Sequence, residues 1–388
     1  MSRLPLYLLI IILFAVSVTS VYAQAMILPD RVPGDTVVTT FVPVAAYASD
    51  LGLIGGVVVN RYRYHPLSTP FVSLAELNLQ ASTKGMLYTR LRYEHTELFG
   101  RPIRSRWTLY GERHPSENYF GLGNHTTFDT DAWHDEYYFF ELKRFGLEWL
   151  GRKTVYQSDR WGGQIDLIAA AVTGYEVPDD DHERLMGHDR PTGVDGGWVN
   201  AAGIGILWEN RDSEFASTRG NRFELTGEWA PGSILGDFAM ASIFSEYRHF
   251  VTLPIPYFRP VVAARLAGKW ATGNIPYWKR PYLGDELTLR GYPVNRFRGD
   301  ASVFYNVELR TWILEYSFLD FKLGIHGFHD AGRVFYDGDG LDRLFRDYHR
   351  TYGGGIATAL FTPDFIIRMD VGFSDEMYRL YMNFGYMF

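Results

Sequence analysis

The stretch Tyr378-Arg379-Leu380-Tyr381-Met382-Asn383-Phe384-Gly385-Tyr386-Met387-Phe388 alternates from end to end. Tyr378, Leu380, Met382, Phe384, Tyr386 and Phe388 share one face, and Arg379, Tyr381, Asn383, Gly385 and Met387 share the other. Successive side chains of a strand point to opposite sides, so this reads as a β-strand with one apolar face and one polar face. The same period returns upstream. Phe365, Ile367, Met369, Val371 and Phe373 oppose Arg368, Asp370 and Gly372. Val303, Tyr305, Val307, Leu309, Thr311 and Ile313 oppose Asn306, Glu308, Arg310 and Trp312, and Phe321, Leu323 and Ile325 oppose Lys322, His326, Phe328 and Asp330. One apolar and one charged face per strand is the lipid-out, lumen-in pattern of a transmembrane β-barrel.

Composition agrees with strands. The 388 residues include 39 glycines, 16% aromatic residues, 21% charged residues and no cysteine. Without cysteine there is no disulfide framework, thiolate metal site or thiol nucleophile. A formal net charge of -7 with scattered bases lacks the footprint of a nucleic-acid binder. Arg3 followed by the apolar run Leu4 to Val18 and then Val21-Tyr22-Ala23 reads as a secretory signal peptide over 1–23, cleaved after Ala23. That run is shorter than the roughly 18 to 20 residues of a spanning helix. Later apolar runs are broken by charge, glycine or proline, so a helical membrane protein is excluded.

The expected organisation is a short periplasmic segment over 24–38 and an outer-membrane β-barrel over 39–388. Strands are expected near 39–49, 51–64, 70–82, 86–97, 103–113, 134–146, 162–175, 199–210, 220–230, 236–249, 258–270, 302–314, 319–333, 350–361, 364–374 and 378–388. The fold class is therefore all-β, an antiparallel barrel of about sixteen strands, an even number as single-chain bacterial barrels require. From a periplasmic start, the longest connections (114–133, 176–198, 271–301 and 334–349) fall on the extracellular side, and 147–161 is the one long turn on the other side. A soluble β-sandwich has no reason to segregate loop length in this way.

Gly284-Asp285-Glu286-Leu287-Thr288-Leu289-Arg290-Gly291-Tyr292 resembles the Arg-Gly-Phe/Tyr loop signature of the BamA/TamA superfamily of outer-membrane insertases and their bacterial surface antigen relatives. Asn306-Val307-Glu308-Leu309-Arg310 is similar to the strand after that loop, and Gly327-Phe328-His329-Asp330-Ala331-Gly332 to the next strand's Phe-x-Asp-x-Gly element. Asn210-Arg211-Asp212 through Thr218-Arg219-Gly220 resembles the family's Asp-rich periplasmic turn. The resemblance implies a long loop between strands 11 and 12 inserted into the lumen. It also implies that Arg290, with Gly291 and Tyr292, forms a latch whose lumen partners are Glu308, Phe328 and Asp330. The alternation places those three on the lumen face independently. The other reading of the same residues is a static plug.

By that resemblance the protein assists insertion or translocation of proteins, or other amphiphiles, at the outer membrane of a Gram-negative bacterium. Its expected partners are outer-membrane lipid, unfolded outer-membrane protein substrates and a separate periplasmic partner, since no periplasmic POTRA module is expected in this chain. The alternatives are a passive channel or structural barrel, and a partner-dependent subunit. Pro43 in the first strand and Gly385 in the last mark a first-to-last seam that could open, because proline removes a ladder donor. The ending at Phe388 resembles the recognition signal that delivers outer-membrane barrels for insertion.

No cofactor, metal or enzymatic activity is expected. Asp179-Asp180-Asp181-His182-Glu183 with His188 lacks a metal-ligand spacing, and Asp337-Gly338-Asp339-Gly340 lacks the later glutamate of a calcium loop. Arg90, Arg92, Arg368 and Asp370 read as lumen charges that solvate the interior or set ion selectivity.

Overall fold

Alternation with period 2 commits each segment to a strand, and short turns between segments commit neighbours to antiparallel pairing. In the computed structural model, which describes residues 36–48, 51–65, 71–158, 162–179, 181–214, 216–232, 236–317, 321–360 and 362–388, this is the arrangement found. The strands are β1 (Thr36–Ala48), β2 (Gly52–Tyr64), β3 (Ser73–Ser82), β4 (Leu87–His95), β5 (Arg104–Asn118) and β6 (Phe139–Ser158). They continue as β7 (Gly163–Pro178), β8 (Gly197–Glu209), β9 (Gly220–Pro231), β10 (Ala239–Thr252), β11 (Val261–Gly273), β12 (Tyr282–Leu283) and β13 (Phe297–Arg298). The last five are β14 (Ala301–Tyr316), β15 (Phe321–Phe335), β16 (His349–Leu360), β17 (Thr362–Phe373) and β18 (Tyr378–Phe384). Sixteen of them join in chain order in one sheet, and β12 and β13 pair separately as a two-stranded ribbon.

The faces are distributed as lipid and lumen demand. Leu309, Ile325, Met369 and Leu380 are exposed, whereas Glu308, Asp330, Arg368 and Asp370 on the opposite faces are buried. A water-soluble fold buries its aliphatic residues and exposes its charges. Here the order is inverted.

The chain divides into two compact units. One holds the described residues up to Ser116 with Glu141–Arg152 and Val172–Gly174, and the other holds Glu117–Phe140, Lys153–Ala171 and Tyr175–Phe388. In the first, Tyr64, Phe71 and Leu74 form a small apolar cluster at the ends of β2 and β3. In the second, Ala267, Leu283, Leu289, Tyr292, Phe297, Phe304 and Val334 form a core between the strands and the loop that carries β12 and β13.

Several boundaries depart from the sequence reading. The expected strand 134–146 begins at Phe139, because Asp129 caps a helical turn at Thr130–His134 by accepting from the Ala132 N–H at 2.8 Å. That strand, β6, then runs on to Ser158, so the long 147–161 turn does not exist. Gly146 within this strand leaves space for a neighbouring side chain. A Cβ at Gly146 would lie 2.6 Å from the Tyr110 hydroxyl.

The last strand stops at Phe384, and Gly385 takes φ +78°. This corrects the expectation that Phe388 continues the lipid-facing row. The chain turns at Gly385, and Phe388 and Met387 pack with Phe250 and Ala263. The Arg310 guanidinium lies 4.0 Å from the Tyr386 ring and 5.0 Å from the Phe388 ring, and its Nη2 donates to the Phe388 carbonyl at 3.1 Å. The expected signal peptide and most of the 24–38 segment lie outside the described residues, and β1 begins at Thr36.

Candidate functional site

The site is built on the connection between β11 and β14, residues 274–300. A 3-10 turn at Tyr277–Lys279 leads into β12, which pairs with β13 through Tyr282↔Arg298 and Leu283↔Phe297. Between them the tip, residues 284–296, is held by its own side chains. Asp285 Oδ1 accepts from the Leu287 N–H at 2.9 Å and the Thr288 hydroxyl at 2.8 Å, while the Gly284 N–H donates to Thr288 Oγ1 at 2.9 Å. Burial of this carboxyl raises the Asp285 pKa from its ordinary value, even though these donors favour its charged form.

Leu283, Leu289, Tyr292 and Phe297 anchor the loop in apolar packing, and Arg290 is its charged centre. The Arg290 Nε donates to Asp330 Oδ2 and its Nη2 to Asp330 Oδ1, both at 2.8 Å. Its Nη1 donates to Glu308 Oε1 at 2.5 Å, and the guanidinium lies 3.4 Å from the Phe328 ring centre. The structure thus brings Arg290, Glu308, Phe328 and Asp330 together. A fork–fork pair with a planar carboxylate combined with a cation–π contact fixes a guanidinium in position and orientation. Burial alone would lower the Arg290 pKa, but Asp330 and Glu308 outweigh it and raise the value further.

Gly291 and Tyr292 tie the tip to the last hairpin. The Gly291 N–H donates to the Tyr381 hydroxyl at 2.9 Å, and its carbonyl accepts from the Ser374 hydroxyl at 3.2 Å. At φ +106°, with the backbone of Phe373 and Ser374 about where a Cβ would stand, only glycine fits. The Tyr292 hydroxyl donates to Asp375.

Three features escaped sequence reasoning. Arg368 and Asp370, read there as scattered interior charges, belong to the Arg290 network. Asp370 lies 3.6 Å from Arg290, Arg368 lies 3.8 Å from Glu308, and His326 Nε2 meets Asp370 Oδ1 at 2.7 Å. Arg296 makes a second clamp, with its Nε donating to Glu376 at 2.7 Å and its Nη groups to the Thr126 hydroxyl at 2.6 Å and carbonyl at 2.7 Å. Its guanidinium also lies 4.5 Å from the Phe297 ring and 5.1 Å from the Phe120 ring. Arg298, buried between Tyr277 and Tyr282, donates to the Tyr277 carbonyl at 2.8 Å. Three arginines within a span of nine residues were the available signal.

The charged interior, the apolar exterior and the folded-in arginine loop are now in place, and comparison with known families agrees with them. The Omp85 superfamily domain matches residues 75–388. The chain belongs to the Omp85 superfamily. Among solved structures, it is similar to BamA from Haemophilus ducreyi lacking POTRA domains 1-3, with a TM-score of 0.59 and 12% identity over 92% of this chain and 70% of that one. It is also similar to CdiB from Acinetobacter baumannii (TM-score 0.55, 11% identity, 91% of this chain and 60% of that one). CdiB from Escherichia coli gives a TM-score of 0.57 and 10% identity over 91% of this chain and 62% of that one. The chain therefore spans less than two thirds of either CdiB chain. No curated protein sequence matches the chain. At such identities the likeness carries the fold, an Omp85-type outer-membrane β-barrel, which points to the outer membrane of a Gram-negative bacterium.

Within this Omp85 barrel the remaining predicted positions are spread out. Pro43 sits mid-strand in β1 opposite Val57 of β2, on the exposed apolar side with Val37 and Phe41. Gly385 turns the chain after β18, its N–H donating to the Ile366 carbonyl at 2.8 Å, and Phe388 meets the Arg310 end of the charged network rather than a lipid-facing row.

Proposed function

We propose that this Omp85 barrel assists insertion or translocation of polypeptides at the outer membrane, with the Arg290 loop as the element that moves. The observation that carries this reading is the coupling of the loop tip to the last hairpin through Gly291. Every tie there is a hydrogen bond or ion pair, so the tip can leave and return without covalent chemistry. Release of the tip would free the interior faces of β14, β15 and β17 and the turn between β17 and β18 together.

In this reading the substrates are unfolded outer-membrane proteins, a separate periplasmic chain delivers them, and the protein is not an enzyme. It reaches the outer membrane after cleavage behind Ala23, which the mass of the mature protein would establish. The complete burial of Arg290 supports a second reading, a fixed plug, because a buried ion-pair cluster serves register as readily as switching.

One assay separates the two. Purified barrel is placed in liposomes, an unfolded outer-membrane protein is added, and its folding rate is compared with protein-free liposomes and with Arg290→Ala. Acceleration that is lost in the variant supports the insertase with a working latch. Acceleration that persists unchanged leaves a plug, and no acceleration by the wild-type barrel refutes the autonomous insertase.

A further inference from the structure

Away from the Arg290 loop, the charged face of the first unit holds a differently built group of arginines. Glu94, near the end of β4, is fully buried and is bound by three guanidinium groups. Arg92 uses Nη2, at 2.5 Å, whereas Arg104 and Arg106 of β5 both use Nε, Arg106 at 3.2 Å. Elsewhere in the same unit Arg90 closes Nε and Nη2 together on Glu76, and Arg113 does the same on Glu141. Those forks are spent. In Arg104 and Arg106 the two terminal Nη groups make no hydrogen bond to protein among the described residues. Their side chains remain 33% and 38% exposed.

A guanidinium can bind a carboxylate by two parallel bonds, and tethering by Nε alone leaves the pair of Nη groups of each arginine as an open bidentate edge. Arg104 and Arg106 stand two residues apart on one strand face, roughly 6 to 7 Å along the strand. Phe71 backs Arg104, with its ring centre 5.7 Å from the guanidinium, and is itself packed on Tyr62 at 5.9 Å. One buried carboxylate against three guanidiniums leaves a local excess of positive charge. The arrangement is a pair of open guanidinium edges held side by side on Glu94.

We propose that Arg104 and Arg106 receive the carboxylates of an acidic polypeptide segment. A lipid phosphate is disfavoured by position, since the hydrocarbon-facing side of these strands carries Leu91, Trp107 and Leu109, opposite to the arginines. The ligand must arrive through water. The site lies at the ends of β2 and β4 and the start of β5, beside the connection 96–103, which the proposed orientation puts at the periplasmic side. The inference rests on the polypeptide-handling reading and specifies the chemistry of the segment handled. Side chains spaced along an extended acidic strand would meet the two forks in turn, each by a bidentate bond.

The test uses the full chain folded in zwitterionic detergent and a fluorescent peptide of alternating Asp and Ser, with binding read by anisotropy. A Lys-Ser peptide serves as control and inorganic phosphate as competitor. Arg104→Lys with Arg106→Lys keeps the positive charges over Glu94 but removes the forks, and should weaken binding about tenfold or more. Arg113→Gln, whose fork is already closed on Glu141, should change nothing. Equal binding by the lysine double variant, or equal weakening by Arg113→Gln, overturns the proposal. Phosphate that binds as tightly as the peptide also overturns the polypeptide assignment, because it identifies a free oxyanion as the ligand. Binding is read without any folding client, so its failure and the failure of the liposome assay are separate results. Should the double variant not fold, Arg106→Lys alone carries the same comparison.

Discussion

Replacement of Arg290 by alanine tests how the loop is held. The substitution removes both side-chain bonds to Asp330 and the bond to Glu308, along with the stacking on Phe328, and leaves the backbone N–H of residue 290 on Asp330 at 3.3 Å. The two carboxylates then fare differently. Glu308 keeps Arg310 at 2.7 Å and Arg368 at 3.8 Å, so its charge stays compensated. Asp330 keeps no charged partner among the described residues and stays buried. Breaking a buried pair by removing one partner costs about 3 to 5 kcal/mol, because an uncompensated charge is left behind. At about 1.4 kcal/mol for each factor of ten, the docked loop should open roughly two to three and a half powers of ten more often.

Hydrogen–deuterium exchange in detergent micelles reads this directly at amides whose acceptors are known. The Gly291 N–H is bonded to Tyr381 and the Asn295 N–H to the Gly284 carbonyl at 2.8 Å. Both should exchange faster in Arg290→Ala while amides of β14 and β15 keep their protection. Adding Asp330→Asn removes the stranded charge and should restore part of the loss. Unchanged exchange at Gly291 in Arg290→Ala would refute the argument that the ion pairs hold the tip, leaving the Arg296 clamp and the apolar anchors as sufficient. Faster exchange in the double variant than in the single would refute the stranded-charge explanation.

Gly291→Ala forces a Cβ to within 2.9 Å of the Phe373 carbonyl carbon at a positive φ, and should displace the tip by more than about 1 kcal/mol, seen as faster exchange at Gly291 and Asn295. The raised pKa of Asp285 means that the docked loop binds a proton more readily than the undocked one. Its contribution to docking is therefore fully present below the ordinary aspartate value and is lost as pH rises through the raised value; Asp285→Asn should flatten this dependence of protection on pH. Leu309→Arg places a charge on an exposed apolar face and should destabilise the barrel by about 2 to 4 kcal/mol in lipid if the site is near the bilayer midplane, measured by denaturant titration in vesicles. A neutral effect there would contradict the lipid-facing assignment.

The legible part of this protein is the part written locally. Period-2 alternation specifies which side of each strand a residue occupies, so the inward position of Glu308, Phe328 and Asp330 and the outward position of Leu309 and Leu380 could be read without coordinates. Glycine shows where that local reading ends. Gly146 lies inside β6, where it makes room for Tyr110, whereas Gly385 sat in an unbroken alternation and ends the strand. A glycine's role depends on what approaches it, and that neighbour is remote in sequence.

The sequence by itself determined the strands, their faces and, through the resemblance around Arg290, the loop that would matter. Only the tertiary structure decided how that loop is held. Arg296 meets Glu376 across 80 residues and Thr126 across 170, and Phe388 meets Arg310 across 78. Such pairs obey no period. They exist because strand register brings distant side chains to one level, and an arginine leaving water for a buried place binds whatever carboxylate, carbonyl or ring it finds there.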